Sequence, residues 1–269
     1  MGILNATPDS FSGDGVGFNA DVLVRRLDQI LAEGPDILDV GGESTRPGGP
    51  AVEVEEELRR VLPVLSAVRA RSTLPVSIDT RRAEVARAAL AHGADLINDV
   101  SGLAFDPAML GVVAQAGVPV VLTHSRRGEV VHTPRGTHDA GVAYGDLVAE
   151  IAAEVGGLVA RAVAQGVARD RIIWDPGFGF GKSPSQNIEL LRRLAEFRPV
   201  GLPMLVGLSR KSFIGRILAA PVTERLEGSL AAAVLAVAKG ADIVRAHDVG
   251  ATRRALAVAD AIVRARADD

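Results

Sequence analysis

Short apolar runs rich in Ile, Val and Leu alternate along the chain with longer segments in which apolar residues recur at helical spacing. Each run is continuously hydrophobic, which is typical of parallel strands buried on both faces. The eight runs are 1–5, 36–40, 75–79, 95–100, 118–124, 172–175, 203–208 and 242–247. The clearest helical segments are 22–31, 54–69, 82–91, 107–116, 144–165, 186–197, 223–239 and 252–264.

Eight strand–helix units in a chain of 269 residues predict an α/β fold, a (β/α)8 TIM barrel formed by one domain over residues 1–269. The alternative is a doubly wound open sheet, which usually has fewer strands and a glycine-rich first turn. No GxGxxG motif follows the first run, and no linker or low-complexity tract marks a second domain. Because the first strand starts at residue 1 with no cap before it, we expect the sequence as given to lack an N-terminal piece.

Every apolar run delivers a polar or charged residue at its carboxyl end. In a barrel these ends converge on one mouth, where active sites lie. One such residue could be a turn cap, but eight at the same end indicate a functional site. They are Asn5, Asp39, Asp79, Asn98 with Asp99, His124, Asp175, Ser209, and Arg245 with His247.

The predicted mouth contains two chemically different groups of side chains. Asp79, Asn98 and Asp175 offer carboxylate and carboxamide groups, which can read the N–H, amino and carbonyl groups of a flat polar heterocycle. The alternative is that Asp79 and Asp175 only pair with neighbouring Arg or Lys. A second group of side chains suits an anionic phosphate or diphosphate, and comprises Arg46, Arg210, Arg245, His247, Lys182 and Lys211.

Composition narrows the classes of function. The absence of Cys excludes disulfides, thiolate catalysis and Cys-ligated metals. A net charge of −3 argues against nucleic acid or an anionic membrane as partner. The sequence contains no apolar run of about 18 residues and no secretory signal, so we expect a soluble cytoplasmic protein. Only three of the 30 basic residues are Lys, of which Lys182 and Lys211 fall in mouth loops; Lys239 ends a predicted helix and is expected to be structural.

Seven motifs stand in order along the chain: LNATPDSF, GGESTRPGG, SIDT, INDVSG, DPGFGFGK, GLSRKSF and VRAHDV. Together they resemble the bacterial dihydropteroate synthases over essentially the whole chain. The resemblance implies a Mg²⁺-dependent, commonly homodimeric pterin-binding barrel. Such an enzyme condenses 6-hydroxymethyl-7,8-dihydropterin diphosphate with p-aminobenzoate, giving 7,8-dihydropteroate and pyrophosphate in folate synthesis. It also implies sensitivity to sulfonamides, which mimic p-aminobenzoate.

The resemblance further implies roles for matched residues at the pterin ring. Asp175 and Asn98 would read the ring from the barrel floor, helped by Asp79. Lys211 would lie against the pterin and respond to charge changes at its ring. Asp79 and Asp175 would also tolerate positive charge on the pterin methylene, so we expect these two, Lys211 and Arg46 to carry the chemistry.

Other matched residues would serve the diphosphate and the second substrate. Asn5 would ligate the Mg²⁺, and Arg245 and His247 would grip the diphosphate. Thr45 and Arg46, in the loop after the second strand, would close over the reacting centre with the first loop. The p-aminobenzoate pocket would be bordered by Phe180, Lys211, Ser212 and Thr45.

The sequence departs from the family pattern in places. The first loop has Asp14, after Gly13, one residue later than usual, which puts the detail of loop closure in question. Thr123 and Ser125 flank His124 where family members often have Met, so this wall of the pterin pocket should be more polar. Segment 132–143 has no interpretable pattern, and no role is assigned to it.

Two alternative functions stay open at this point. One is a pterin-binding methyltransferase barrel, which shares the pterin-reading residues but binds no diphosphate. The other is a non-catalytic paralogue, whose expected sign is the loss of Asn5, Arg46, Lys211 or Arg245. All four are present.

Overall fold

The core of the molecule is a ring of short parallel strands surrounded by helices. The computed structural model describes residues 1–6, 20–43, 52–126, 130–133, 136–139 and 142–264. The ring strands are β1 Gly2–Asn5, β2 Leu38–Gly41, β3 Val76–Asp79, β4 Leu96–Asp99, β5 Val120–Thr123, β8 Ile172–Asp175, β9 Leu205–Gly207 and β10 Ile243–Arg245. Each lies within one of the predicted runs or, for β2, one residue beyond it.

Backbone pairing closes the ring. Strands β1 to β5 and β8 form one parallel sheet, and β10 pairs with β9. Parallel bridges join Trp174 to Met204 and Gly2 to Ala246, which link the two sheets at both edges. The Ile3 N–H donates to the Ala246 carbonyl at 3.0 Å. The predicted TIM barrel is therefore confirmed.

The helices follow the strands in the expected alternation. They are α1 Ala20–Ala32, α2 Val54–Arg69, α3 Ala83–Ala91, α4 Met109–Ala116, α5 Leu147–Ala164, α6 Pro184–Arg192, α7 Ser212–Leu218, α8 Leu226–Ala238 and α9 Val249–Val263. The segment 186–197 was predicted as one helix. In the structure, α6 ends at Arg192 and the chain continues as the 3-10 turns Leu194–Val200. Within the described ranges, no helix is long and apolar enough to cross a membrane.

One helix and one two-stranded hairpin were missed in the sequence analysis. Helix α7 spans only seven residues, which is too short for periodicity to detect. Strands β6 Val130–Thr133 and β7 Gly136–Asp139 form an antiparallel hairpin inside the segment that had no interpretable pattern. Strand β7 lies beside α7, so the hairpin belongs to the mouth of the barrel.

Alternation along the strands separates an outer core from an inner one. Val40, Ile78 and Trp174 pack outwards in the large core beneath the helices. A small inner cluster plugs the barrel with Leu96, Val121 and Leu205, against which Ile37, Ile173 and Ile243 pack. Because side chains two residues apart share a face, the next inward positions are Asp39, Asn98, Thr123, Asp175, Gly207 and Arg245. An apolar plug therefore supports a polar floor.

Candidate active site

Four side chains from four strands meet on the barrel floor. Asn98 Nδ2 donates to both carboxylate oxygens of Asp39 at 3.4 Å. Arg245 Nε donates to Asp39 Oδ2 at 2.5 Å, and its Nη2 donates to Asp79 Oδ2 at 2.6 Å. Asp39, Asp79 and Asn98 are buried. Arg245 thus bridges two buried carboxylates, which is how charged groups are tolerated at such a site.

Two members of this bridge, Asp79 and Arg245, have shifted pKa values. Burial raises the pKa of Asp79 to about 7, although the Arg245 guanidinium opposes the shift. Burial also disfavours the charge on Arg245, but Asp39 and Asp79 outweigh it and raise the pKa of Arg245. Asp79 Oδ1 is buried and accepts no hydrogen bond within the described part of the chain. The sequence left open whether Asp79 pairs with a neighbouring Arg; it does, through one oxygen.

Asp175 ends β8 and is held by the loop that follows. The Gly177 N–H donates to Asp175 Oδ1 at 2.7 Å. Burial raises the pKa of Asp175 above its ordinary value, while the Gly177 hydrogen bond and the charge of Lys211 act against this. In the register of the sheet, Asp175 lies opposite Thr123, and both point inwards. Thr123 Oγ1 is buried without a hydrogen-bond partner among the described residues, so this wall carries the polar group expected from the sequence.

Phe180, from the loop after β8, meets Lys211, from the loop after β9. Lys211 lies at the start of α7, whose first residue is Ser212. Lys211 Nζ lies 4.5 Å from the centroid of the Phe180 ring, a cation–π contact. Gly179 has φ +80°, and a Cβ there would lie 3.2 Å from Lys211 Nζ. The glycine therefore lets the β8 loop pass close beneath the Lys211 side chain.

The loops after β9 and β10 are tied together at the rim. The His247 N–H donates to Ser209 Oγ at 3.2 Å, and His247 Nδ1 shares a hydrogen bond with the same hydroxyl at 3.0 Å. Arg210 binds Asp248 through two hydrogen bonds of 3.0 and 2.5 Å. The sequence analysis grouped Arg210 with the cations that suit a diphosphate, and in the structure its guanidinium is paired with Asp248.

Comparison with known proteins identifies the family of this chain. The model of the pterin binding enzyme family matches residues 1–247. The chain is 47% identical over 266 residues to the dihydropteroate synthase of Synechocystis, covering 98% of this chain and 90% of that one. The chain belongs to the dihydropteroate synthase family of pterin-binding enzymes. This confirms the resemblance drawn from its motifs.

Two solved structures of dihydropteroate synthases are similar throughout. The Clostridium difficile enzyme, crystallised in the presence of pteroic acid, has a TM-score of 0.89 and 41% identity and covers 98% of this chain and 96% of its own. The Xanthomonas albilineans enzyme with 4-aminobenzoic acid has a TM-score of 0.88 and 44% identity, covering 98% and 93%.

Some predicted site residues stand apart from the floor cluster. Asn5 ends β1, is partly exposed, and lies opposite Gly41 in the register of β1 and β2. Thr45, Arg46 and Asp14 fall outside the described residues. Among the residues that are described, no group of three or more His, Asp or Glu side chains is arranged to hold a metal ion.

In this dihydropteroate synthase fold, the sequence analysis missed the role of Asp39 and the burial of Lys182. Asp39 was recognised as a strand end but given no role, although it orients both Asn98 and Arg245. Its signal was present, because it occupies the inward position of β2. Lys182 was placed among the cations of the mouth, but its side chain is buried and its ammonium faces the loop backbone.

A methyl group added to the loop after Asp175 should destabilise the fold. Gly177 has φ +72°, and a Cβ there would lie 1.9 Å from the His124 carbonyl oxygen. We expect Gly177→Ala to lower the free energy of unfolding in urea by more than about 2 kcal/mol. The control is Gly201→Ala, where φ is +66° but the nearest atom would lie 3.9 Å away. It should cost about 1 kcal/mol; equal losses in the two variants would contradict the close packing.

Proposed function

We propose that this chain is a dihydropteroate synthase that joins 6-hydroxymethyl-7,8-dihydropterin diphosphate to p-aminobenzoate. The observation that carries the proposal is the buried, inward set of Asp79, Asn98 and Asp175 on the barrel floor. Acceptor groups at this depth suit the N–H-rich edge of a pterin. Arg245 binds Asp79 on this floor, and His247 is held by Ser209 at the rim; the diphosphate would extend between these two basic side chains.

The residues fit a dissociative substitution. The carbon–oxygen bond to the diphosphate breaks, and pyrophosphate leaves as Arg245 and His247 stabilise its negative charge. The carboxylates of Asp79 and Asp175 provide negative potential beneath the cationic pterin methylene. The amine of p-aminobenzoate, bordered by Phe180 and Lys211, then forms the carbon–nitrogen bond and releases a proton. The roles of Thr45 and Arg46 at the reacting centre belong to the same proposal.

The rim favours this reaction over the two alternatives. A methyl transfer from a methylated folate involves no diphosphate, so it would not use the basic side chains of Arg245 and His247 to bind a leaving group. A non-catalytic paralogue would not need Asn5, Arg46, Lys211 and Arg245, all of which are retained.

Pyrophosphate release tests the proposal with the purified protein, the pterin diphosphate and Mg²⁺. We expect release to depend on p-aminobenzoate and a sulfonamide to compete with that substrate. Release that is unaffected by omitting p-aminobenzoate would contradict a condensation.

Magnesium is part of the proposal. The Asn5 carboxamide oxygen is a hard donor of the kind Mg²⁺ accepts, and diphosphate oxygens and waters can complete its preferred octahedron. Bound there, the ion would neutralise charge on the diphosphate. We expect EDTA to reduce turnover at least about tenfold and excess Mg²⁺ to restore it. Full turnover after metal removal would contradict this part of the proposal.

Lys211 offers a second test. Its ammonium lies against Phe180 at the border between the two proposed substrate pockets. We expect Lys211→Ala to lower kcat/KM by about 100-fold while the unfolding midpoint in urea changes little, because the side chain is partly exposed. The matched control is Lys239→Ala, at the end of α8 and far from the mouth, which should retain wild-type rates. Wild-type rates in Lys211→Ala would mean that the site is misplaced.

We also propose that the protein is a homodimer. Large apolar side chains are exposed on the last three helices: Ile217 and Leu218 on α7, Leu235 on α8, and Val258 and Ile262 on α9. Exposed apolar surface of this kind is typical of an interface. A molar mass of one chain by light scattering at micromolar concentration would exclude a homodimer.

The cytoplasmic location and a single domain over 1–269 stay predictions.

A further inference from the structure

Lys182 is a buried amine to which the proposed reaction gives no part. Only 1% of the residue is exposed. Its Nζ lies 2.9 Å from the Gly177 carbonyl oxygen, 3.2 Å from that of Phe180 and 3.0 Å from His124 Nδ1. The His124 carbonyl oxygen is further away, at 3.5 Å. Burial lowers the pKa of Lys182 to about 7, and in the charged form its three N–H donors match the three nearer acceptors.

The direction of these hydrogen bonds follows from the neighbours. Arg126 hydrogen-bonds the Glu154 carboxylate and lowers the pKa of Glu154, so that this side chain can only accept. His124 Nε2 lies 2.9 Å from Glu154 Oε2 and must therefore carry a proton. Burial lowers the pKa of His124 to about 4, so at neutral pH the ring is uncharged and Nδ1 accepts. Lys182 is consequently the donor to Nδ1.

A continuous chain of polar contacts thus runs from the surface to the mouth. It begins at the Arg126–Glu154 ion pair, passes through His124 at the end of β5, and ends on Lys182 and two carbonyls of the β8 loop. Glu154 is 42% exposed, while His124 and Lys182 are buried. The loop also lies directly on the backbone after β5, since a Cβ on Gly181 would lie 1.7 Å from the Arg126 carbonyl oxygen.

We propose that Lys182 is a positioning residue for p-aminobenzoate, an inference that rests on the proposed function. Its ammonium fixes the main chain at Phe180, and thereby the distance between the Phe180 ring and Lys211 Nζ across the pocket. Asp175 is less dependent on Lys182, because it belongs to β8 and the pairing of this strand with β5 holds it in place. Loss of Lys182 therefore weakens p-aminobenzoate binding more than pterin binding.

Steady-state kinetics test this role in Lys182→Met. We expect the KM for p-aminobenzoate to rise about tenfold, with kcat and the KM for the pterin diphosphate within about threefold of wild type. Provided that the wild-type protein is active, the inference would be overturned if Lys182→Met raised the KM values for both substrates equally or raised neither. If wild type itself forms no dihydropteroate, the proposed function fails first.

Two variants at surface residues test the same role if Lys182→Met does not fold. Glu154→Ala removes the acceptor that fixes the His124 tautomer, and we expect about a threefold rise in the KM for p-aminobenzoate. Glu150→Ala is the control, because Glu150 lies one turn away on α5 and binds Arg126 but not His124. Identical KM values in these two variants would contradict the chain of contacts.

The His124 tautomer provides a readout that needs no activity. In ¹⁵N-labelled wild type, with the signal assigned by comparison with His124→Gln, we expect an uncharged ring protonated on Nε2 at pH 7. Glu154→Ala should change that signal and Glu150→Ala should not. A ring protonated on Nδ1 or on both nitrogens would overturn the inference, whether or not the enzyme condenses its substrates.

Discussion

Replacing Asp175 by Asn is expected to lower kcat/KM for the pterin diphosphate by about 100-fold or more. The substitution preserves shape and the acceptor for the Gly177 N–H, which occupies one carboxylate oxygen at 2.7 Å. The other position becomes an NH2 donor facing a ring edge that also donates. A buried site built to accept hydrogen bonds discriminates strongly against such a mismatch. Initial rates at varied pterin diphosphate measure the effect.

Asp99→Asn is the matched control for Asp175→Asn. Asp99 is also a buried carboxylate at a strand end, but both of its oxygens accept from its own loop, from the Ser101 and Leu103 N–H groups at 2.7 and 3.2 Å. In the alternation of β4 it faces away from the interior that Asn98 faces. We expect a change in kcat/KM of less than about threefold. Similar losses in the two variants would indicate a general effect of buried charge.

Removing Arg245 should damage both stability and activity. Its guanidinium bridges Asp39 and Asp79, so Arg245→Met leaves two buried carboxylates without a cation. Breaking such a pair costs about 3 kcal/mol of unfolding free energy. Urea denaturation measures the loss, and turnover should fall by about 100-fold, because the diphosphate also loses a cation.

A second substitution separates the two consequences of losing Arg245. Adding Asp39→Asn to Arg245→Met neutralises a fully buried carboxylate, so part of the lost unfolding free energy should return while turnover stays low. Arg245→Met with wild-type stability, or a double variant that regains turnover, would contradict the proposed double role.

The barrel could be predicted from the sequence because each of its signals is contained in a short continuous stretch of residues. Continuous apolar runs mark strands buried on both faces, and a polar residue at each carboxyl end marks the mouth. Helix α7 was missed because seven residues are too short to show a helical period, and the β6–β7 hairpin was missed because its strands, VVHT and GTHD, are not continuous apolar runs.

Individual contacts at the site were harder to predict. The scarcity of Lys drew attention to Lys182, but the direction of its side chain depends on glycines with positive φ in the loop that precedes it, at Gly177 and Gly181. Likewise Arg210 has a charge suited to a diphosphate, and only its proximity to Asp248 shows that this charge is neutralised. Such pairings are made between distant parts of the chain, so local sequence does not specify them.

Transfer of labelled p-aminobenzoate tests the central claim most directly. The purified protein is mixed with the pterin diphosphate, Mg²⁺ and ring-labelled p-aminobenzoate, and the products are separated and identified by mass. We predict labelled 7,8-dihydropteroate in equal amount to the pyrophosphate released, and neither product above background with Asp175→Asn. Pyrophosphate release without incorporation of label, or no turnover of the pterin diphosphate by the folded wild-type protein, would contradict it.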